Sequence, residues 1–340
     1  MDNRGAVMST QKNMTISDIA AELGVSKTTV SRVLSGKGRI GEETRTRVLN
    51  YIKDINYKPN LIAKSLAQSK TYNIGVVLPA DSSKEVPFFQ TCLMGVCEVV
   101  NVQNYDVIAA VVTENDISQL VRLVENQKVD GVVLTRSFVN DLSVHYLKEK
   151  NIPFVLIGSS VEEGVVEIDS DHVNACSELT SYLMAPRCHT IAYFAVSQQH
   201  MVEQKRYRGY CDAFEQKHQE VDTSLVFHNL TTKALTEQAV ETGLGRGVDC
   251  IICSDDRLCS WVLSIFHQMN ISVPKDVMLA SFYNSSYLEN YSPAITAIDF
   301  DAKDLGYMAG KQILKLLNRD EVSKRMLLSY KIMMNQSTQR

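Results

Sequence analysis

Apolar positions recur at helical spacing in the first sixty residues. Within TISDIAAELG, a stripe with i, i+3, i+4, i+7 spacing predicts an amphipathic helix; it consists of Ile16, Ile19, Ala20 and Leu23. Thr15 and Asp18 form a capping-box pattern at its start, and Gly24 suits the left-handed residue that commonly ends a helix. Ser26 can cap a second helix, whose apolar positions are Val30, Val33 and Leu34. Two short helices joined by a glycine-containing turn form a helix-turn-helix unit.

A third helix is expected over EETRTRVLNYIKDI, where an apolar stripe continues through Val48, Leu49, Ile52 and Ile55. Pro59 prevents this helix from continuing, and Asn60 can cap a short helix from about residue 61 to 67 that would be unstable alone. Leu66 in that segment has no local core to enter. Either it inserts between base steps in a DNA minor groove, or it packs on the next domain.

From residue 71 the pattern changes, and short β-rich apolar runs alternate with helical stretches. The runs are NIGVVLP, YDVIAAVV, VDGVVLT, IPFVLIG, HTIAYFAV, VDCIICS and VMLASFY. Strands that are buried on both faces and alternate with helices predict parallel sheets. There are too many strands for one sheet, so we expect two α/β lobes. Ligands of such sheets bind at the carboxyl ends of the strands, which a cleft between the lobes would collect.

Length and composition fit a globular protein of two or three domains, with 340 residues, 45% of them hydrophobic and 22% charged. No apolar run reaches the ~18 residues of a membrane-spanning helix. The first thirteen residues lack the apolar core of a signal peptide. We therefore expect a cytoplasmic protein without membrane contact, and a loose tail over residues 1–13.

Charge is distributed unevenly along the chain. Residues 1–70 contain 12 basic and 6 acidic side chains, a net charge of +6, and the total of −4 leaves −10 for the remaining residues. This asymmetry suggests that the basic segment, residues 1–70, binds a polyanion and that the acidic remainder of the chain, called the body below, does not.

The second predicted helix has an unusual polar face, with Lys27, Thr28, Ser31 and Arg32 and no acid. In a helix-turn-helix unit this helix enters the major groove. Lys27, Thr28 and Arg32 suit contacts with base edges. The side chains that suit DNA phosphates are Thr15, Ser26, Ser31, Tyr57 and Asn60. The alternative is a helical hairpin whose hydroxyls serve only as caps.

No enzyme motif is visible. Cys250 and Cys253 form a CxxC, but no second pair follows, and alternation along a buried strand would place them on opposite faces. The glycines of GLGRG lack the spacing of a phosphate loop or a dinucleotide fingerprint, and neither GxSxG nor HExxH occurs. We therefore expect no catalytic activity, no metal site and no cofactor.

These motifs together resemble the lactose/galactose-repressor family of bacterial transcription regulators. The resemblance is dense over residues 14–79, in TISDIAAELGVSKTTVSRVLSG, TRTRV, INYKPNLIAKSLAQSKT and IGVVLP, and looser beyond. It implies that Lys27 and Thr28 are the variable base-reading pair and that Arg32 is the common base-contacting arginine. It also implies that Leu66 is the hinge wedge at the centre of a palindromic operator. Gly41 departs from the serine that usually caps the third helix.

The resemblance also implies the domain organisation. We expect an N-terminal all-α helix-turn-helix domain over residues 14–59 and a hinge helix over 60–70. An α/β two-lobed periplasmic-binding-protein-like (type I) effector domain with parallel sheets would span 71–340 and also dimerise. Lobe 1 would comprise about 71–170 and 300–322, and lobe 2 about 171–299 and 323–340.

Family motifs place the effector site. KRYRGY, CSDD, SFYN, AIDFD and VPFF align with effector-site motifs of the family, which implies that the binding residues are Arg206, Ser254, Asp255, Tyr283, Asn284, Phe300, Phe88 and Phe89. Tyr283 and Gly158 stand where relatives have sugar-binding aspartates. This loss of acids allows a ligand that is less rich in hydroxyls, larger or anionic; the alternative is a sugar held by different donors.

The sequence thus predicts a cytoplasmic, homodimeric, sequence-specific DNA-binding transcription regulator. We expect a repressor of carbohydrate-utilisation genes that binds double-stranded DNA and is controlled by a sugar or sugar derivative between the lobes. The alternatives are control mainly by a partner protein, such as a phosphocarrier co-repressor, and control by a non-sugar ligand.

Overall fold

The computed structural model describes residues 14–36, 38–57, 70–80, 87–184 and 188–339. The chain divides into two compact units, and the division falls between Thr71 and Tyr72.

The first unit contains three described helices: α1 Ile16–Glu22, α2 Lys27–Ser35 and α3 Glu42–Asp54. The predicted capping box is present, since Thr15 Oγ1 accepts from the Asp18 amide and the Asp18 carboxylate accepts from the Thr15 amide at 2.8 Å. Gly24 has φ 62°, in the left-handed region that favours glycine. Ser26 Oγ accepts from the Thr29 amide at 3.0 Å, so the predicted cap of α2 is confirmed.

The helices of this unit close a small apolar core, whose buried members are Ile19, Ala20, Val30, Val33 and Val48. The prediction for Leu49 is wrong, because 45% of its surface is exposed. Val48, Ile52 and Ile55 lie on the side of α3 that packs on the core, and Leu49 lies outside that stripe.

The second unit contains two six-stranded sheets among the described residues. Lobe 1 has the strand order β2-β1-β3-β4-β5-β11, and lobe 2 has the equivalent order β7-β6-β8-β9-β10-β12. The strands are β1 Asn73–Pro79, β2 Asp106–Val112, β3 Gly131–Leu134, β4 Phe154–Ile157, β5 Val166–Ser170, β6 Ile191–Phe194, β7 Val226–Phe227, β8 Cys250–Cys253, β9 Met278–Ser281, β10 Thr296–Phe300, β11 Arg325–Leu328 and β12 Tyr330–Met333.

In the described parts of both sheets, hydrogen-bonded strands run parallel as predicted, except that β12 runs antiparallel to β10. The helices of this unit are α4 Pro87–Val102, α5 Ser118–Glu125, α6 Leu142–Glu149, α7 His172–Leu183, α8 Met201–Gln216, α9 Lys233–Gly245, α10 Asp256–Gln268, α11 Ser286–Glu289 and α12 Ala302–Asn318. They connect successive strands, so the carboxyl ends of the strands in each sheet lie at one edge.

The chain passes between the lobes near residues 171, 301 and 329. The last of these crossings differs from the expected boundary at 322/323, because β11 pairs in register with β5, from Arg325 opposite Glu167 to Leu328 opposite Ser170. Lobe 1 therefore extends to Leu328. Tyr330 begins β12, which pairs with β10 of lobe 2.

Close helix packing supports lobe 1. A Cβ atom at Gly306 of α12 would lie 2.7 Å from the carbonyl carbon of Cys92 in α4, which is closer than van der Waals contact. The two helices can therefore approach this closely only because residue 306 is a glycine.

Cys250 and Cys253 lie in β8 and enter different apolar clusters on opposite faces of the lobe 2 sheet, as predicted. Among the described residues, no helix has the length and apolar character needed to cross a bilayer.

Candidate DNA-binding face and effector cleft

The polar face of α2 is exposed. Lys27, Thr28, Ser31 and Arg32 are all exposed, whereas Val30 and Val33 on the opposite side are buried. The helix begins at Lys27 because Ser26 caps it, so Lys27 and Thr28 occupy its first turn. That end of a recognition helix is the one expected to be nearest the base edges.

The residues predicted to contact phosphate are in varied environments. The hydroxyls of Thr15 and Ser26 are exposed but already accept the amide protons of Asp18 and Thr29. Tyr57 packs against the core of the unit, and burial raises the pKa of its phenol. Asn60 and Leu66 lie outside the described residues, and their roles stay predictions.

The cleft between the two lobes of the second unit encloses a cavity of about 160 Å³. Lobe 1 contributes Phe88, Phe89, Arg136, Gly158 and Asp169 to its lining. Lobe 2 contributes His172, Glu203, Arg206, Asp255, Asp256, Arg257, Tyr283 and Phe300. Many of these residues lie within two residues of the carboxyl end of a strand, which is the edge of the sheets where the ligand was predicted to bind.

Aromatic side chains from both lobes line one part of the cavity. The ring centroids of Phe88 and Phe89, at the start of α4, are 5.2 Å apart. Phe88 also contacts Tyr283 of lobe 2 edge to face, with centroids 5.8 Å apart. The guanidinium carbon of Arg136 lies 4.9 Å from the Phe89 ring centroid. These rings offer flat apolar surfaces with a cation beside them.

A second contact joins the lobes near the cavity. Phe138 of lobe 1 and His200 of lobe 2 form an isolated antiparallel bridge, and the Val139 amide donates to the Gln199 carbonyl at 2.9 Å. The Phe138 and His200 rings lie 5.3 Å apart. This bridge and the Phe88–Tyr283 contact show that the two lobes touch each other on either side of the cleft.

Arg206 and Glu203 of α8 form a buried ion pair in the cleft, with Arg206 Nη1 2.9 Å from Glu203 Oε1. Burial by itself would lower the pKa of Arg206, but Glu203 and other acidic neighbours raise it, so the guanidinium stays charged. Burial raises the pKa of Glu203, and the attraction of Arg206 opposes this rise. The Nε atom of Arg206 has no hydrogen-bond partner among the described residues.

Two neighbouring carboxyls at the start of α10 differ in their environment. Asp255 caps the helix and accepts from the Leu258 amide at 2.7 Å. Burial and the adjacent Asp255 raise the pKa of Asp256 to about 6. The pair therefore offers one acceptor fixed by the helix and one carboxyl that titrates near neutral pH.

Gly158, which the family motifs predict to stand at an aspartate position, has a backbone conformation that favours glycine. Its φ is 123°, where side chains are strained, and a Cβ atom would lie 2.7 Å from Ser137 Oγ. A side chain here would therefore be strained and would require the Ser137 side chain to move.

Six of the eight predicted effector residues line the cavity; the exceptions are Ser254 and Asn284. Ser254 is fully buried, and its hydroxyl accepts from the Val196 amide. Asn284 donates to Glu289 at 2.7 Å. Both side chains are buried and outside the cavity lining, so their role as effector contacts stays a prediction.

Sequence reasoning missed several residues of the cavity lining: Arg136, Asp169, His172, Glu203, Asp256 and Arg257. Their positions at or just after strand ends, or on α8 one turn before Arg206, are the signal that could have identified them.

Comparisons with known proteins agree with this architecture. Residues 15–60 match the model of the lacI family of bacterial regulatory proteins, and residues 180–338 match a periplasmic binding protein-like domain. The transcriptional regulator RegA of Clostridium saccharobutylicum is 27% identical over 95% of this chain and 98% of its own length. The regulator MalR of Streptococcus pneumoniae is 29% identical over 94% and 98%. A solved complex of the regulator CelR with cellobiose covers 95% of this chain and 99% of its own, with TM-score 0.73 and 24% identity, and shows the shared fold.

The exposed helix-turn-helix face of the first unit and the two-lobed α/β fold of the second are together the features of a DNA-binding transcription regulator. The first unit thus contains a helix-turn-helix domain of the lacI family of bacterial regulatory proteins, the second contains a periplasmic binding protein-like domain, and the chain is similar over most of its length to transcription regulators that include MalR.

Proposed function

We propose that this chain is a homodimeric, sequence-specific repressor of carbohydrate-utilisation genes, controlled by a sugar or sugar derivative that binds in the cleft. The proposal that the chain binds DNA rests on the exposed face of α2. This face presents Lys27, Thr28 and Arg32 and has no acidic side chain. Arg32 can donate two hydrogen bonds to a guanine edge, and Lys27 can donate to a guanine or a phosphate. The proposal places the protein in the cytoplasm, together with its operator.

Operator binding can be tested without knowing the operator. Full-length protein selects duplexes from a random library, and the affinity for the enriched sequence is measured by gel shift. Arg32→Ala is expected to weaken binding about 10- to 100-fold, as a lost bidentate base contact does. Arg122→Ala is the matched control, because Arg122 is also an exposed helical arginine but lies on α5 of the body. Equal affinity of wild type and Arg32→Ala, or no enrichment, would contradict the proposal.

The effector part is supported by the chemistry of the cleft. Phe88, Phe89 and Tyr283 provide ring faces on which a sugar can lie, and carboxylates and guanidinium groups nearby provide acceptors and donors for hydroxyls. An effector that contacts both lobes would favour the arrangement in which they close around it. Its differential affinity for that arrangement would control DNA binding.

A thermal-shift screen tests the effector class, since a ligand of the folded body raises its melting temperature. The panel includes maltose, cellobiose and ribose, their phosphates and a set of nucleosides. A shift with a neutral sugar, accompanied by a change in operator affinity, is the expected result. Response only to nucleosides would contradict the sugar proposal. A regulator controlled mainly by a phosphocarrier protein would respond to none of these compounds.

The homodimer is supported by exposed apolar side chains on lobe 1. The exposed residues are Met94 and Val102 on α4 and Val111 on β2. In the described part of the lobe 1 sheet, β2 is an edge strand. Two copies would also present two recognition helices to the half-sites of a palindrome. Sedimentation equilibrium is expected to give twice the chain mass, and Val111→Lys is expected to weaken the association. A monomer at micromolar concentration would contradict this part.

A further inference from the structure

His172 is a buried histidine in the cleft that the family motifs did not indicate. It is the first residue of α7, follows the helix cap Asp171, and keeps 8% of its surface exposed. Its ring lines the cavity and lies 4.5 Å from the ring centroid of Phe300. The two rings are tilted by 58° to each other, so Phe300 packs against the imidazole without stacking flat on it.

The Nε2 side of this ring faces Asp169, which belongs to the other lobe. Asp169 is the penultimate residue of β5 in lobe 1, and its Oδ1 lies 3.5 Å from His172 Nε2. Asp169 Oδ2 accepts from Lys205 Nζ of α8 at 2.6 Å, and Oδ1 also accepts from the Ser170 amide at 2.9 Å. One lobe 1 carboxylate thus contacts two side chains of lobe 2.

The charge states of this group follow from burial and from its neighbours. Burial by itself would raise the pKa of Asp169, but His172 and Lys205 lower it to about 2, so the group is a carboxylate at neutral pH. Burial lowers the pKa of His172, Asp169 opposes this, and the cations Arg206 and Lys205 lower it further. The histidine is therefore neutral beside a charged carboxylate.

These charge states fix the tautomer. A charged carboxylate only accepts hydrogen bonds, so the histidine nitrogen that faces it must carry the proton. A neutral imidazole has one N–H, and Nδ1 is consequently a bare acceptor. Among the described residues Nδ1 has no hydrogen-bond partner, although it is buried. A buried polar atom without a partner is unfavourable, and a donor on a ligand would remove this penalty.

We propose that His172 selects a hydroxyl group of the effector: Nδ1 accepts from that hydroxyl, and Asp169 positions the histidine in the required tautomer. The proposal rests on the proposed function of the cleft as an effector site. Arg206, which also lines the cavity, keeps its Nε donor without a partner among the described residues. Both unpartnered atoms are buried and belong to residues that line the cavity, and a hydroxyl, which both donates and accepts, has the chemistry to satisfy an acceptor and a donor. A fully ionised phosphate or a carboxylate only accepts.

Asp169 stands only three residues before His172, at a crossing of the chain between the lobes, so their contact is local and does not depend on how the lobes are arranged. Asp169 is thus a positioning residue, and His172 is the residue that touches the ligand.

The tautomer is tested first, on full-length protein without ligand. Histidine-labelled protein is studied by long-range ¹H–¹⁵N correlation at pH 7.5, and the signals lost in His172→Asn assign this residue. The expected signature is a protonated Nε2 and an unprotonated Nδ1 in wild type, with averaging between tautomers in Asp169→Asn. His145→Asn, an exposed histidine on α6, is the control and should leave the pattern unchanged. An imidazolium or an Nδ1–H tautomer in wild type would overturn the proposal.

The contact with the effector is tested by calorimetry with maltose and cellobiose as probes. His172→Phe keeps an aromatic ring beside Phe300 but removes the acceptor, and it is expected to lower the affinity of a bound sugar about tenfold. Equal affinity of wild type and His172→Phe would overturn the His172 proposal and leave the proposed function standing. If neither sugar binds wild type, the sugar assignment loses its support, and the tautomer experiment still decides the proposal for His172.

Discussion

The two lobes of the body share one strand order but differ in what they bury. In lobe 1, α4 and α12 pack through Gly306 against the Cys92 backbone, and the described side chains of the interior are mainly apolar. Lobe 2 buries an ion pair, Glu203–Arg206, and the carboxyl of Asp256. Lobe 1 also places the charged side chains Arg136 and Asp169 at the cleft, so the lobes differ chiefly in that lobe 2 buries an ion pair formed within its own helix α8.

The largest effect should follow from breaking the buried ion pair of lobe 2. Arg206→Met leaves Glu203 buried without its cation, and removing one partner of such a pair destabilises by about 3–5 kcal/mol. We expect the free energy of unfolding to fall by this amount in urea denaturation followed by circular dichroism. The matched variant is the double substitution Arg206→Met with Glu203→Met, which is expected to recover most of the loss because no unpaired charge remains. A double variant as unstable as the single one would show that packing, not charge, is responsible.

The stability of lobe 1 should depend on the side-chain volume at the contact between α4 and α12. Gly306→Ala forces a methyl group against the Cys92 backbone, which cannot move independently of α4. Overpacking of this kind destabilises by up to about 3 kcal/mol. Urea denaturation gives the loss, and hydrogen exchange is expected to rise in α4 and α12. The control is Gly245→Ala near the end of α9, where a Cβ atom meets nothing within 4 Å and helix propensity favours alanine. Equal losses in the two variants would contradict the close-packing argument.

The sequence predicted features that depend on a few neighbouring residues. The capping box of Thr15 and Asp18, the left-handed Gly24 and the cap Ser26 each depend on atoms within four residues, and all three are present. The alternation of strands and helices likewise predicted two parallel-stranded lobes. Leu49 was assigned wrongly because periodicity alone does not say how wide the buried stripe of a helix is.

The cleft could be predicted only in part, since its chemistry is assembled from distant segments. Motifs correctly placed Arg206, Asp255 and Tyr283 at the cavity. They could not place Asp169 beside Lys205, since these residues lie on different lobes and meet only through the folded arrangement. Asn284 follows a strand end, yet its amide donates to Glu289 of α11 and lies outside the cavity lining, which spacing alone cannot reveal.

A smaller effect, dependent on pH, should come from Asp256 of lobe 2. Its pKa is raised to about 6 by burial and by Asp255, so the folded protein favours the protonated form. Its contribution to stability is therefore complete below the ordinary pKa of an aspartate and is lost as pH rises through 6. From pH 4.5 to pH 7.5, the free energy of unfolding of wild type should fall by about 2 kcal/mol relative to that of Asp256→Asn, since a shift of one pKa unit corresponds to about 1.4 kcal/mol. Parallel urea denaturation curves for the two proteins at both pH values measure this difference, and curves that shift together would contradict it.

The smallest effect should come from an ion pair on the surface of lobe 1. Lys303 Nζ lies 2.7 Å from Glu98 Oε2, but the two side chains are 58% and 54% exposed, so water and salt screen their attraction. The pair joins α12 to α4, the same two helices that Gly306 brings together. Lys303→Gln should therefore leave the melting temperature unchanged within error, at low and at high salt. A clear loss at low salt that disappears at high salt would show that surface charge, and not only the close approach at Gly306, holds these helices together. That result would weaken the contrast between a lobe stabilised by packing and a lobe that buries its charges.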